Sequence, residues 1–246
     1  MNALAGRRAL VTGGSRGIGA AIVKRLAADG AQVAFTYAAS PRPADQLREE
    51  ISADGGTAIP IQADSADAKQ VTDAVDQAVA TLGGLDILVN NAGITKSGVA
   101  ESYPMADFDR MLAVNVRGVF VAIQRVTPHL DAGGRIVTIG SIFAERVPRT
   151  GSAVYAMTKA AVTGLTRGLA RELGARGITV NVIQPGPTAT DANPDSGEFA
   201  DQMRELTPLG HYGRPEDIAS AVAYLVSPEA GFITGITWNV DGGFAV

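Results

Sequence analysis

Short apolar runs alternate along this chain with longer stretches in which apolar residues recur every three or four positions. The runs at 9–12, 32–37, 57–62, 85–90, 134–140, 178–183 and 236–240 read as strands. The stretches at 17–29, 43–54, 67–82, 107–131, 153–176 and 215–226 read as helices. Several strand runs are apolar nearly throughout, as in ALVT and LDILVN, which suits a sheet covered on both faces. Strands separated by helices demand right-handed crossovers and hence a parallel sheet. The expected fold is a doubly wound α/β sheet of about seven parallel strands with helices on both faces. No linker or change of composition divides residues 1–246, which read as one domain.

One segment breaks the rhythm. Between Pro187 and Pro215 the chain carries Pro, Gly, Asp and Asn freely, with room for one short helix over 198–206. A long irregular insertion after a strand end is expected to act as a lid over a site, here spanning about 188–213.

Composition narrows the chemistry. Hydrophobic residues make up 46% of the 246, enough for a sizeable core. There is no cysteine, which excludes disulfides, thiolate metal sites and a cysteine nucleophile. The two histidines, His129 and His211, are far apart, so neither a histidine-rich metal site nor a Ser-His-Asp triad is supported. The net charge of −4 comes without a basic stripe, which argues against nucleic acid and membrane surfaces as partners. With no apolar signal segment and no run of membrane-spanning length, a soluble cytoplasmic protein is expected.

The first strand runs into TGGSRGIG, with glycines at 13, 17 and 19, and then into a helix. Small residues there let backbone approach a pyrophosphate, and the helix N-terminus offers free N–H groups and the positive end of a dipole. Gly13, Ser15, Arg16, Gly17, Ile18 and Gly19 are therefore candidate cofactor contacts. The second strand ends at Tyr37, where an NAD enzyme usually has an acid for the ribose hydroxyls. No acid lies between Gln32 and Arg42. That permits a 2′-phosphate, with Arg16 to hold it and Ser40 or Arg42 to help, so NADP(H) is the expected cofactor. Asp64 and Ser65 follow the third strand, and Asn90, Asn91, Ala92 and Gly93 follow the fourth. Strand C-termini are where such a sheet binds its ligand. Asp64, Ser65 and Asp67 could instead cap the next helix, and Asn90 or Asn91 could brace backbone.

Tyr155 and Lys159 in YAMTK sit at i and i+4, one turn apart on one helix face. A cation beside a phenol favours the phenolate and lowers its pKa, which makes a tuned acid. Val154, Met157, Val162, Leu165, Leu169 and Leu173 form the expected buried stripe, leaving Tyr155 and Lys159 to face a cleft.

Taken together, TGGSRGIG, NNAG, the Asn of VNV, a serine after the fifth strand, YAMTK and PGPTAT occur in the order and rough spacing of the classical short-chain dehydrogenases/reductases. The chain resembles that Rossmann-type family from Gly6 to the DGG at 241–243, and within it the 3-oxoacyl-(acyl-carrier protein) reductase-like carbonyl reductases. The stretches TDANP and GHYGRPED are also similar to a biofilm-dispersal protein of this fold that binds cyclic di-GMP. The resemblance implies that Tyr155 is the acid/base, that Lys159 lowers its pKa and holds the nicotinamide ribose, and that Ser141 bonds the substrate oxygen. It further implies that Asn115 anchors a water leading from Lys159 to solvent. Thr188 would bind the carboxamide, with Ile183, Pro185 and Gly186 lining the nicotinamide pocket. Ser141 departs from the pattern: it precedes Tyr155 by fourteen residues, and the family's serine commonly lies one residue nearer, at Ile142 here. An extra residue in AERVPRTGS would account for this, with Ser152 as a fallback donor or a helix cap.

The reaction so implied is NADPH-dependent reduction of a ketone or 3-oxoacyl group to a secondary alcohol, with no metal. The other readings are a cyclic-dinucleotide-binding regulator without relevant turnover and, less favoured, an NAD-linked alcohol oxidiser. The expected substrate pocket comprises Ile94, Thr95, Phe143, Ala144, Glu145, Val147 and the lid. Arg146 and Arg149 are candidates for docking an acidic acyl carrier, and the family's usual homotetramer is expected.

Overall fold

The protein is described by a computed structural model that covers residues 3–39 and 41–246. Seven parallel strands form one sheet: β1 (Arg8–Val11), β2 (Gln32–Tyr37), β3 (Thr57–Gln62), β4 (Ile87–Asn90), β5 (Arg135–Ile139), β6 (Thr179–Pro185) and β7 (Thr237–Val240). Their spatial order is β3-β2-β1-β4-β5-β6-β7. The chain winds outward from β1 in one direction, then returns and winds from β4 in the other. The crevice beyond the carboxyl ends of β1 and β4 is the switch point where such a sheet binds ligands.

The helices are α1 (Gly17–Ala28), α2 (Pro41–Ala53), α3 (Ala68–Leu82), α4 (Met105–Leu112), α5 (Val119–Val126), α6 (Ala153–Leu173), α7 (Glu198–Glu205) and α8 (Pro215–Val226). The period-2 geometry of the strands sends alternate side chains to opposite layers. Ala9, Val11, Ile87 and Val89 pack with Ile22 and Leu26 of α1 and Val222 of α8. Leu10 and Leu88 face the other way, against Val75, Ile123 and Val162 of α3, α5 and α6. Each such fully buried aliphatic side chain contributes about 1.5–3 kcal/mol of transfer free energy. Pro60, which has no N–H for a ladder, is tolerated because β3 is an edge strand paired only to β2.

The strand and helix expectations hold to within a few residues, with one exception. The helix expected over 107–131 is interrupted by a wide π-type turn, Ala113–Gly118, between α4 and α5, and closes in a 3₁₀ turn at Thr127–His129. Asn115 lies in that turn and is 1% exposed. The turn passes so close to the loop after β3 that a Cβ on Gly118 would lie 2.3 Å from the Ser65 carbonyl oxygen.

The buried stripe of α6 also differs from the expected one. Thr158, Lys159, Val162, Thr166, Leu169, Ala170 and Leu173 are buried, while Met157 is exposed and Val154 only half-buried. Lys159 therefore lies on the inward stripe rather than beside it.

Candidate active site

The loop after β1 is built to bring backbone close to a ligand. Gly13 and Gly17 have φ of +64° and +54°, a region that favours glycine. Gly19 has no space for a side chain: a Cβ would lie 2.2 Å from the Gly13 oxygen and 2.5 Å from Asn91 Nδ2. Asn91 ties this loop to the loop after β4, donating from Nδ2 to the Thr12 and Gly13 carbonyls at 3.0 and 2.9 Å. Thr12 Oγ1 accepts from the Asn91 and Ala92 amides. Asn91 is thus a brace, one of the two roles open to it. No side chain caps the N-terminus of α1, so its first amides are left for a ligand.

The cleft over this loop is lined by Gly13, Ser15, Arg16, Gly17, Ile18, Gly19, Tyr37, Asp64, Ser65, Asn91, Ala92 and Gly93, which brings together nearly every expected cofactor contact. Arg16 is exposed at its rim. Ser40 lies outside the described residues, and exposed Arg42 does not line the cleft. Asp64 receives one guanidinium nitrogen of Arg110 at 3.0 Å from both carboxylate oxygens. The helix cap it could have supplied comes instead from Asp67, which accepts from the Lys69 and Gln70 amides. Arg110 and Thr190, not foreseen in the sequence, also line this cleft.

A second cavity of about 490 Å³ opens from the first, sharing Ile18, Asn91, Gly93 and Ile94 with it. It holds Ser141, Tyr155, Lys159, Pro185, Gly186 and Thr188. Ser141 follows β5 in extended conformation, and its Oγ accepts from the Phe143 amide at 3.2 Å. The Tyr155 side chain lines the same cavity, near enough that the Ser141 hydroxyl favours its phenolate. The unusual spacing of Ser141 therefore leaves the pair in one cavity, while Ile142 is buried in a packed cluster. Ser152 is buried, makes no side-chain cap and does not line the cavity.

Lys159 Nζ donates to the Ile139 carbonyl at 2.9 Å and lies 5.8 Å from the centre of the Tyr155 ring. Burial pulls the Lys159 pKa down to about 8. Burial pushes the Tyr155 phenol up, and the Ser141 hydroxyl pulls it partly back. The expected lowering of Tyr155 by Lys159 is not among the causes of its shift in this state. Desolvation penalises the phenolate more than its neighbours favour it. Asn115 stands behind the pair. Its Oδ1 accepts from the Ile94 amide at 2.9 Å, and its Nδ2 donates to the Ile94 carbonyl at 2.9 Å and to Thr158 Oγ1 at 3.1 Å.

Of the expected substrate-pocket residues, Ile94, Thr95 and Phe143 line the cavity, and the Phe143 ring meets Tyr155 edge-on at 5.9 Å. Glu145, Val147 and Ala144 do not line it. Glu145 turns outward and accepts from Asn239 Nδ2 at 2.9 Å, and Val147 is exposed beyond the short 3₁₀ turn at Ile142–Ala144. Ile183 is fully buried in the sheet's core, not in the nicotinamide wall. Thr188 lines the cavity with its hydroxyl donating to the Gly186 carbonyl at 3.0 Å.

The lid is fastened at both ends. The Ala189 amide donates to the Gly213 carbonyl and the Gly213 amide to Pro187, each at 2.9 Å. Ala200 and Met203 of α7 pack with Tyr212, Phe244 and Ile142. This seats Asn193, Pro194, Phe199 and Met203 on the cavity wall. Arg149, expected only as a surface docking charge, lines the same cavity.

Comparison with known proteins agrees with this geometry. A family model described as Enoyl-(Acyl carrier protein) reductase matches residues 13–245. A solved short-chain dehydrogenase/reductase from Serratia marcescens is similar at 58% identity, with TM-score 0.98 and 99% of each chain covered. A short chain dehydrogenase from Burkholderia cenocepacia, solved in complex with NADP, is 53% identical at TM-score 0.97, again with 99% of each chain covered. A curated relative from Escherichia coli, the cyclic-di-GMP-binding biofilm dispersal mediator protein, is 46% identical over 244 residues, 99% of both sequences.

Proposed function

Since the chain belongs to the short-chain dehydrogenase/reductase family of oxidoreductases, we propose that it reduces a ketone or 3-oxoacyl carbonyl to a secondary alcohol with NADPH. The observation that carries this reading is the gathering of Ser141, Tyr155 and Lys159 in one cavity continuous with a glycine-lined, uncapped helix terminus.

When bound, the nicotinamide cofactor supplies the hydride. Gly13 to Gly19 would hold its pyrophosphate on the free amides of α1. Arg16, with no acid at the end of β2 to oppose it, would take the 2′-phosphate. Ser141 donates to the carbonyl oxygen as negative charge grows there. Tyr155 transfers its proton to that oxygen, which completes the alcohol. Its raised pKa keeps that proton in place at neutral pH. Lys159 holds the ribose and favours the phenolate left behind, and Asn115 fixes the Ile94 backbone beside it. A water between Asn115 and Lys159 is the return path for the proton. The Ser141–Tyr155 pair supports a carbonyl oxygen, rather than an alkene carbon, as the proton's destination. Exposed Phe120 and Met157 on α5 and α6 support a homotetramer closing over those faces. No helix among the described residues is long and apolar enough to cross a membrane.

The test is oxidation of NADPH and, separately, NADH against aryl ketones, diketones, 3-oxoesters and an acetoacetyl thioester. Turnover favouring NADPH supports the reading. Firm NADPH binding with no turnover on the whole panel favours the second reading, a cyclic-dinucleotide-binding regulator, which the similarity to the dispersal mediator protein supports.

Gly19→Ala tests the cofactor end. Its Cβ would overlap the Gly13 carbonyl and Asn91 Nδ2, so the loop must open. We expect NADPH affinity, followed by fluorescence titration, to fall by about 100-fold or more, with about 1–3 kcal/mol lost from folding. Unchanged affinity would remove the glycine loop as the pyrophosphate site.

A further inference from the structure

The charges on the catalytic cavity are one-sided. Among the described residues lining it are Lys159 and Arg149, and no Asp or Glu. Lys159 is committed to Ile139 and the catalytic centre. Arg149 is not committed to any carboxylate. Its guanidinium lies 4.7 Å from the ring centre of Phe199 on the lid helix, and one nitrogen, Nη2, is 3.4 Å from Ser97 Oγ. Stacking occupies a face of the guanidinium and leaves most of its in-plane N–H groups available. The neighbouring Arg146 shows the contrast: it is turned to the Phe244 and Val246 carbonyls and covers the Phe244 ring at 5.2 Å. Glu145, the nearest acid in sequence, is held away by Asn239. The rest of the wall mixes uncharged polar groups, Thr95 and Asn193 among them, with apolar Ile94, Phe143, Pro187, Pro194, Phe199 and Met203.

We propose that Arg149 is a specificity-determining residue that selects ketones bearing a carboxylate, with the acid at Arg149, an apolar spacer along Phe143 and Phe199, and the reacting carbonyl at Ser141 and Tyr155. A planar fork of N–H donors pairs with a carboxylate through two parallel bonds, which a neutral ester cannot match. Arg149 is exposed, so salt screens that pair while its fork geometry still selects the acid. Arg149 is reached from three segments, the Ser97 loop, its own loop and α7, so binding an acid there also draws the lid against the cavity. The reaction rests on the reductase reading above; the charge preference rests on the cavity alone.

The experiment compares methyl-ketone carboxylates of increasing chain length with their methyl esters. Wild-type protein, Arg149→Gln and Arg149→Lys are assayed with NADPH at low and high salt. For the best chain length, the wild type is expected to favour the acid in kcat/KM by about tenfold or more. In Arg149→Gln the acid-to-ester ratio should fall by about 10- to 100-fold, mainly through KM, the range for a lost charged hydrogen bond. Arg149→Lys should restore part of the ratio, and salt should lower it in the wild type. An unchanged ratio, or equal losses on acid and ester, overturns the proposal and leaves Arg149 a lid contact only. If no pair is turned over, it is the reductase reading that fails. The same acids and esters are then titrated into the NADP⁺-loaded proteins. Tighter binding of the acid by the wild type alone upholds the charge selection, and equal binding overturns it.

Discussion

Tyr155→Phe is expected to lower kcat for ketone reduction by about 10²–10⁴-fold while NADPH still binds within a few-fold of wild type. The substitution removes one oxygen and keeps the ring, so the edge contact with Phe143 survives. Only the proton source is lost. The loss belongs in kcat and kcat/KM together, because proton transfer to the oxygen matters in the transition state and little in substrate binding. The raised pKa adds a pH signature. Reduction should proceed across neutral and mildly alkaline pH and fall only once Tyr155 loses its proton, above its ordinary value in the cofactor-free state. The oxidised nicotinamide would carry positive charge beside the phenol, so the corresponding limb of the reverse, alcohol-oxidising reaction should lie lower. Stopped-flow single turnovers, which separate the chemical step from release, would check this. A variant with near wild-type single-turnover rates would remove Tyr155 from the reaction and leave Ser141 as the donor to examine.

The parts of this site that lay open in the sequence are those where backbone geometry dictates residue type. A loop that must approach a phosphate needs glycine at 13, 17 and 19, and the seven strands declare themselves because a buried parallel sheet tolerates few polar residues. What stayed hidden depends on how side chains turn. The stripe on α6 differs because Met157 is exposed and the inward face carries Thr158, Lys159 and Thr166, polar residues that periodicity counts as exposed; Lys159 is both buried and on the cavity wall. The π-type turn at Ala113–Gly118 has no signature in AVNVRG, since it exists to hand the Asn115 amide to Ile94, a partner 21 residues away. Glu145 and Val147 follow the 3₁₀ turn at Ile142–Ala144 and stay off the cavity wall, Glu145 held by Asn239 and Val147 exposed, while Arg149 lines the cavity. Arg110 reaches the first cleft from α4, which no local pattern could indicate, whereas Phe199 on α7 lies within the expected lid.

Lys159→Met should move stability and activity in opposite directions. The cofactor-free protein holds this lysine 6% exposed, with its ammonium donating to the Ile139 carbonyl. Its folded pKa of about 8 lies below the ordinary lysine value of 10.5. Below pH 8 both folded and unfolded chains carry the proton, so the full penalty of burying the charge is present. Between pH 8 and about 10.5 the folded protein gives up the proton first, the unfolded chain binds more protons, and stability rises with pH. A displacement of this size corresponds to a penalty on the order of 3 kcal/mol at neutral pH. Methionine fills nearly the same volume without the charge and gives up the bond to Ile139, about 1 kcal/mol. The cofactor-free variant should therefore melt about 2–8 °C higher at pH 7, and the gap should narrow as pH rises past 8. Turnover should fall by about 10²-fold or more, because the phenolate left by Tyr155 loses its supporting cation. The added stability that NADPH confers should shrink as well, since the ribose loses a donor. A variant that melts below wild type at pH 7 would mean that the ammonium is a structural ion in the empty site. One that melts higher and keeps its activity would separate Lys159 from Tyr155 altogether.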